Sequence, residues 1–489
     1  MRRKTALLTA AALVAVPVMA QAPANYLSQR DVAEAAKQHP QVVQEFGGAE
    51  TGPRAAYVEG VGRKVAAYSG TANAGQVYHF TTLNSAVENA FAVPGGYVYI
   101  TRQLMGIMND ESQLAFVLGH ETGHVAARHA QTRQKAATKN SILGILGVLV
   151  GGVVGNNAFG NLISQSAQQF SKLNTLKFSR EQEYQADVLG IRYMTAAGYD
   201  PAGSASMLSQ LSRNSALESR IQGDANRSTP EWAQTHPLTE NRVTQASQVA
   251  RQTGRVGTGL RNRDVFLDQL EGVYVDDDPA QGVIDGRSFT HPDLKMRFYV
   301  PTGFLMQNSS SSVDIQGSSG QAQFSGGRYD GNIQSYVAQV LQQLTGGKQQ
   351  VPMGPIQRTV INGIPAYVTQ GRANTSSGQV DVGVVVYEWD RGSAYHFVTL
   401  TQAGQGLNPF RSMIESFRRI TDQEATSIRP RIIDVVTVQR GDTLQSLSSR
   451  MAYPDYRLDR FLAINGLASN SQLVPGQKVK VVVYGTRRR

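Results

Sequence analysis

Apolar and polar positions along this chain change their period several times, and each change marks an element. Near the start, residues 6–18 form an apolar run behind Arg2, Arg3 and Lys4. Residues 27–72 carry helical patterning in DVAEAAKQH and AAYVEGVGRKVAAYSG. Residues 77–83 alternate as a strand does. A loop over 84–90, a short strand over 91–93, a Pro94-Gly95-Gly96 turn and a strand over 97–101 follow. Residues 113–130, QLAFVLGHETGHVAARHA, read as one helix with Leu114, Phe116, Val117, Leu118 and Val125 on its apolar side. SREQEYQADVLGIRYM reads as another, packed through Tyr184, Val188, Leu189 and Ile191, and residues 202–211 as a further one. Between the first two of these lies a stretch without charge, 140–171. Its apolar core, 142–154, is shorter than the ~20 residues a spanning helix needs. Gly147, Gly151 and Gly155 recur there every four residues, a spacing that lets helices approach closely. We read it as a lid or a membrane-leaning hairpin.

Past residue 260 the pattern changes. Residues 265–270 close a helix, and Asp276, Asp277 and Asp278 before Pro279 mark a turn within a linker over 261–287. Residues 288–421 alternate as a separate α+β unit. Strands are expected over 296–300, 360–369, 380–389 and 395–401. Helices are expected over 333–344, with Tyr336, Val337, Val340, Leu341 and Leu344 inward, and over 409–420.

Composition adds three constraints. The length of 489 residues predicts two to four domains. The net charge of +10 favours anionic membrane or wall polymers; no nucleic-acid module is visible. The absence of cysteine excludes disulfides, thiolate metal ligands and a lipidated cysteine anchor. The first 22 residues have the charged start, apolar run and small-residue end (Ala20-Gln21-Ala22) of a secretory signal peptide, so export to a bacterial periplasm is expected.

The chemistry concentrates in HETGH. His120 and His124 are four apart, so on a helix they share a face one turn apart and can hold one metal ion. Glu121 lies beside them, within reach of a water on that metal. A metzincin would need a Gly three residues after His124 and a His six after it. Ala127 and Ala130 stand there, and His129 is one place short. The other common solution is a Glu from a second helix downstream. Glu183 can ligate, with Glu181 as its rival. Asp187, one turn on, can accept a hydrogen bond from the far nitrogen of a ligand histidine. One Zn2+ per chain follows.

HETGH followed by EYQAD resembles the HtpX / CAAX-prenyl-protease-like family of zinc metallopeptidases. NAFAVPGGYVYIT and THPLTENR are similar to two more of its stretches, in the same order, over roughly residues 40–250. The resemblance implies an α+β chain whose domain over 27–260 is mainly helical and zincin-type (gluzincin). It implies that the strand at Asn89, Ala90, Phe91 and Ala92 borders the cleft and pairs with an extended peptide. It implies that His236 and Arg242 approach the cleft and stabilise the oxyanion. In some periplasmic relatives a His here takes the fourth zinc position and shuts the enzyme. Membrane-embedded members place spanning helices near 142–154, so peripheral membrane contact is expected there. The order of elements over 288–421 is similar to the small domains of the PsbP-like class.

Residues 432–486 resemble a LysM module. VTVQRGDTLQSLSSRM matches its strand, turn and first helix; LAINGL and LVPGQKVKVV match the second helix end and last strand, a βααβ unit. Such modules bind N-acetylglucosamine-containing glycans, which implies peptidoglycan. Gln445 departs from the aromatic frequent at its place, and residues 453–460 form an enlarged connection.

Three functions are open at this point. The first is an exported zinc endopeptidase acting on unfolded or misassembled envelope proteins, held to the wall by its LysM-like end. The second is a non-proteolytic envelope chaperone or binding protein with a closed zinc site. The third is a peptidoglycan hydrolase, suggested by the LysM-like tail alone.

Overall fold

Two helices lie side by side at the centre of the computed structural model, α5 (Glu111–Ala126) and α6 (Arg180–Ala196). The structure describes residues 26–131, 178–222, 236, 240–347, 350–375 and 378–487. The expected leader over 1–22, the apolar run 142–154, Thr235 and Pro237 lie outside the described residues. Helix α5 starts where the Asp110 carboxylate caps the N–H of Gln113 at 3.0 Å, and Glu111 suits the positive end of the helix dipole. It is buried from Glu111 to Val125, so its polar HETGH face lies inside the protein. Helix α6 starts in a capping box, Ser179 with Gln182. The two helices touch backbone to backbone. A Cβ on Gly190 would sit 2.8 Å from the His120 nitrogen, and one on Gly119 would sit 3.1 Å from the Gly190 oxygen.

Around this pair stand α1 (Gln29–Glu45), α2 (Pro53–Ala66), the single turn α3 (Ala74–Val77), α4 (Arg102–Ile107), α7 (Ala202–Gln222) and α8 (Glu240–Gln252). A three-stranded sheet runs in the order β1 (His79–Leu83), β3 (Tyr97–Thr101), β2 (Ala90–Val93). Strands β1 and β3 are parallel, while β2 pairs antiparallel at the edge nearest α5. Val77, expected in the first strand, belongs to the α3 turn, and the strand begins at His79. Asn89 precedes β2 and is tied to Thr101 by backbone and hydroxyl bonds of 3.0–3.1 Å.

The segment expected as a linker, 261–287, is built into the fold. It carries α9 (Arg263–Leu270), which buries Phe266, Leu267 and Leu270, and then β4 (Tyr274–Val275). Beyond it, a four-stranded and a seven-stranded antiparallel sheet form the accessory unit. Helix Ile333–Thr345 buries Tyr336, Val337, Val340 and Leu344, the face its apolar spacing dictates. Two expectations change here. The run 360–369 is a hairpin rather than one strand: Gln357–Ile361 and Ile364–Thr375 pair across Asn362-Gly363, at φ +49° and +77°. The closing helix 409–420 is shorter, Arg411–Ser416, and its end turns into a strand, Arg418–Arg419, paired with Met296 and Arg297.

The last unit has strand Arg431–Thr437, helices Leu444–Ser448 and Arg457–Asn465, and strand Lys478–Tyr484. Strand β4 joins this sheet by pairing Tyr274 and Val275 with Ile432 and Arg431. Ile433 packs into the core that α2, α5 and α7 share. Lys480 is wholly buried, and its Nζ donates to the carbonyls of Gly106 at 2.8 Å and Met108 at 2.5 Å, at the end of α4. Gln210 on α7 donates to the Ala463 carbonyl, and Arg213 donates to that of Gly466 at 3.0 Å.

Candidate metal centre

His120 and His124 face the same way from adjacent turns of α5, with their Nε2 atoms 3.0 Å apart. Glu183 enters from α6. Its carboxylate oxygens lie 3.6 Å from His120 Nε2 and 3.5 Å from His124 Nε2. The Nδ1 of His236 lies 3.3 Å from His120 Nε2 and 3.1 Å from Glu183 Oε1. These four buried side chains each offer a ligand atom, all within 4.8 Å of one another. Nδ1 of His120 donates to Asp187 Oδ1 at 2.9 Å, which leaves its Nε2 lone pair facing the cluster. Arg242 grips Asp187 through Nε and Nη2, both at 2.8 Å, and lies 3.0 Å from Glu183 through Nη1. Among the described residues, the buried Glu121 Oε1 has no hydrogen-bond partner, and it lies 3.6 Å from His236 Nε2. Converging imidazole nitrogens, a carboxylate and an unsatisfied buried oxygen fit a divalent metal ion of the kind that takes nitrogen and oxygen ligands.

Comparison with known proteins agrees with this chemistry. Residues 53–250 match the family model Peptidase family M48. Residues 53–250 are a peptidase family M48 domain. The resemblance drawn from the motifs is a looser label for the same group. Residues 436–482 match the LysM domain model. The M48 domain is 28% identical over 199 residues to the beta-barrel assembly-enhancing protease of Escherichia coli strain K12, an alignment that covers 40% of this chain and 39% of that one. It is 30% identical over 139 residues to metalloprotease LoiP of the same strain, covering 28% of this chain and 53% of that one. The chain thus spans well under two thirds of these relatives. A solved cyanobacterial PsbP from Synechocystis aligns over 28% of this chain and 98% of its own, at 11% identity and a TM-score of 0.23, too low a score to bear on the fold.

The M48 site is electrostatically divided. Burial pushes the Glu121 carboxyl up, against the pull of His236 and His120. Burial also acts to raise Glu183, but the His236 charge and hydrogen bonds from His124 and His236 outweigh it and hold this carboxylate well below its usual range. Burial holds the His124 imidazole well below its usual range. His236 moves the other way: burial lowers it, and the charges of Glu183 and Glu121 more than restore it.

Glu181, the rival ligand, is exposed and absent from the four-residue group. Two neighbours were not singled out from sequence. Phe178 stacks on the His124 ring at 3.8 Å between centroids. His129, noted only as one place short of a metzincin ligand, contacts the outer nitrogen of His124.

Proposed function

We propose that this chain is an exported, zinc-dependent endopeptidase of the gluzincin type. It hydrolyses peptide bonds in unfolded or misassembled envelope proteins in the periplasm, and its LysM domain engages peptidoglycan. The observation that carries this reading is the buried convergence of His120, His124 and Glu183 beside the unpartnered oxygen of Glu121. His120, His124 and Glu183 would hold the ion. When bound, zinc supplies Lewis acidity and a nucleophile available at neutral pH. Glu121 takes the proton from the attacking water and returns it to the leaving amine, a role that suits a carboxyl raised by burial. Asp187 fixes the His120 tautomer, and Arg242 holds Asp187 and Glu183 in place. The β2 edge at Asn89, Ala90, Phe91 and Ala92 is the strand on which an extended substrate would pair. Export rests on the leader-like start; among the described residues, no helix is long and apolar enough to cross a membrane.

His236 supports a second reading, a closed site, because it stands among the donors as a fourth candidate ligand. For hydrolysis it would have to leave that position, and it would then be at hand to share the developing charge of the substrate carbonyl. The decisive assay incubates the protein with unfolded casein and with sacculi, with and without a chelator. Casein cleavage abolished by the chelator, with sacculi intact, is the expected result. Glu121→Gln should retain zinc and lose cleavage by about 10²–10⁴-fold; full activity in that variant refutes the assignment. His236→Ala should raise cleavage of unfolded casein, since it opens the site. A fall of about 10²–10³-fold would show instead that charge sharing dominates. Zinc bound with no cleavage in either form would favour the non-proteolytic alternative.

A further inference from the structure

The outer nitrogen of His124 faces a second imidazole. Its Nδ1 lies 2.9 Å from Nδ1 of His129, and Nε2 of His129 lies 3.0 Å from Oε1 of Gln185 on α6. His129 is buried. Spacing alone would not put it there. In an unbroken helix a residue five positions past His124 points about 140° away around the axis. The chain breaks instead at Arg128, whose φ of +57° is left-handed. A residue with a Cβ adopts that conformation only against steric strain. The N–H groups of Ala127 and Arg128 still bond the carbonyls of Gly123 and Val125, so the helix closes and His129 swings back against His124.

Two Nδ1 atoms at that distance share one proton, so one ring donates and the other accepts. A metal on Nε2 of His124 requires a lone pair there, which puts the His124 proton on Nδ1. His129 must then accept at Nδ1 and carry its own proton on Nε2, where the Gln185 oxygen receives it. Each donor meets an acceptor in this order. If His129 donated instead, the His124 proton would sit on Nε2 and block the ion. Phe178 fixes the plane of the His124 ring but cannot fix its proton. We propose that His129 is a positioning residue that holds His124 in its metal-binding tautomer, with Gln185 setting the direction of the relay. This rests on the metal reading given above. The two histidine ligands are therefore supported differently: His120 by the anionic Asp187, His124 by a neutral imidazole. A neutral partner adds no further negative charge to a buried group that already contains Glu121, Glu183 and Asp187 with Arg242 against them.

The test is a zinc competition titration on the full chain against a chromophoric chelator, with Tm of each metal-free variant measured alongside. His129→Asn keeps an acceptor close to the Nδ1 position. His129→Phe keeps a ring without one, and His129→Gln places its amide one bond further out. His129→Phe and His129→Gln should lose about 10–100-fold in zinc affinity. His129→Asn should recover most of the loss and restore the wild-type cobalt(II) absorption spectrum. Gln185→Leu should lose less, because Gln185 is exposed and water can replace its oxygen. If either deficient variant folds and binds zinc as tightly as the wild type, the relay is refuted. A loss that His129→Asn does not recover refutes it equally. Wild-type protein that binds no zinc removes the metal reading and this proposal together, so the two failures are distinct.

Discussion

Asp187 shows how much of the site is held by residues outside the four-residue donor group. It accepts from His120 on one oxygen and takes the Arg242 fork across both. Burial acts to raise this carboxyl, and the Arg242 charge with the His120 bond brings it below its usual range. Glu88 stands in the opposite condition. It precedes β2 beside a cavity of about 50 Å³ lined also by Glu218, Asp276, Tyr453 and Arg460. Burial first, and the Glu218 charge second, push Glu88 up to about 8, although the Asn214 amide donates to it at 2.6 Å. A carboxyl raised on folding stabilises the fold fully below its unfolded pKa, near 4.3, and the contribution is lost as pH rises through about 8. Tm should therefore fall from pH 5 to pH 8, and Glu88→Gln should flatten that fall; an unchanged slope counts against it. At this scale the spacing rules were informative. A four-residue interval converts directly into a shared helix face, which put His120 with His124 and Glu183 with Asp187. His129 was illegible because its place depends on the left-handed turn at Arg128, and no pattern of residue types demands that turn.

Helices α5 and α6 owe their contact to glycine. With Gly119 and Gly190 facing each other, the backbones come close enough for a carboxylate on one helix to reach imidazoles on the other. Gly190→Ala would place a methyl 2.8 Å from the His120 nitrogen, against backbone that has no room to give. It should lower zinc affinity while leaving every candidate ligand in place, as read by the same chelator competition; undiminished affinity would show that the spacing is slack. These glycines carried no signal in the sequence, where GHETGH and VLGIR read as ordinary helix. The accessory hairpin is a different kind of miss. Asn-Gly between two apolar runs is a strong short-range hairpin signal, and it stood in VINGIP at Asn362-Gly363. The strand pattern on either side masked it.

At the scale of the molecule, the LysM domain is joined to the M48 domain by more than chain connectivity. Strand β4 extends its sheet, Ile433 enters the M48 core, and the buried Lys480 Nζ sits at the end of α4. Burial holds the Lys480 amine well below its usual range. Hydrogen exchange should show the amides of strand Arg431–Thr437 and those of α5 opening in one cooperative unit. Independent opening would mean that the docking is superficial. The linker expected over 261–287, between the first domain and the accessory unit, instead carries α9 and β4, whose apolar faces read equally well as local packing. Their true partners lie more than a hundred residues away, as in the pairing of Tyr274 with Ile432.

Ile433 has a consequence for the order of assembly. The ribosome makes it long after the helices whose interior it fills, so those helices wait, incompletely packed, through the synthesis of the whole accessory unit. The core around α5 is therefore completed only when the closing strands are made.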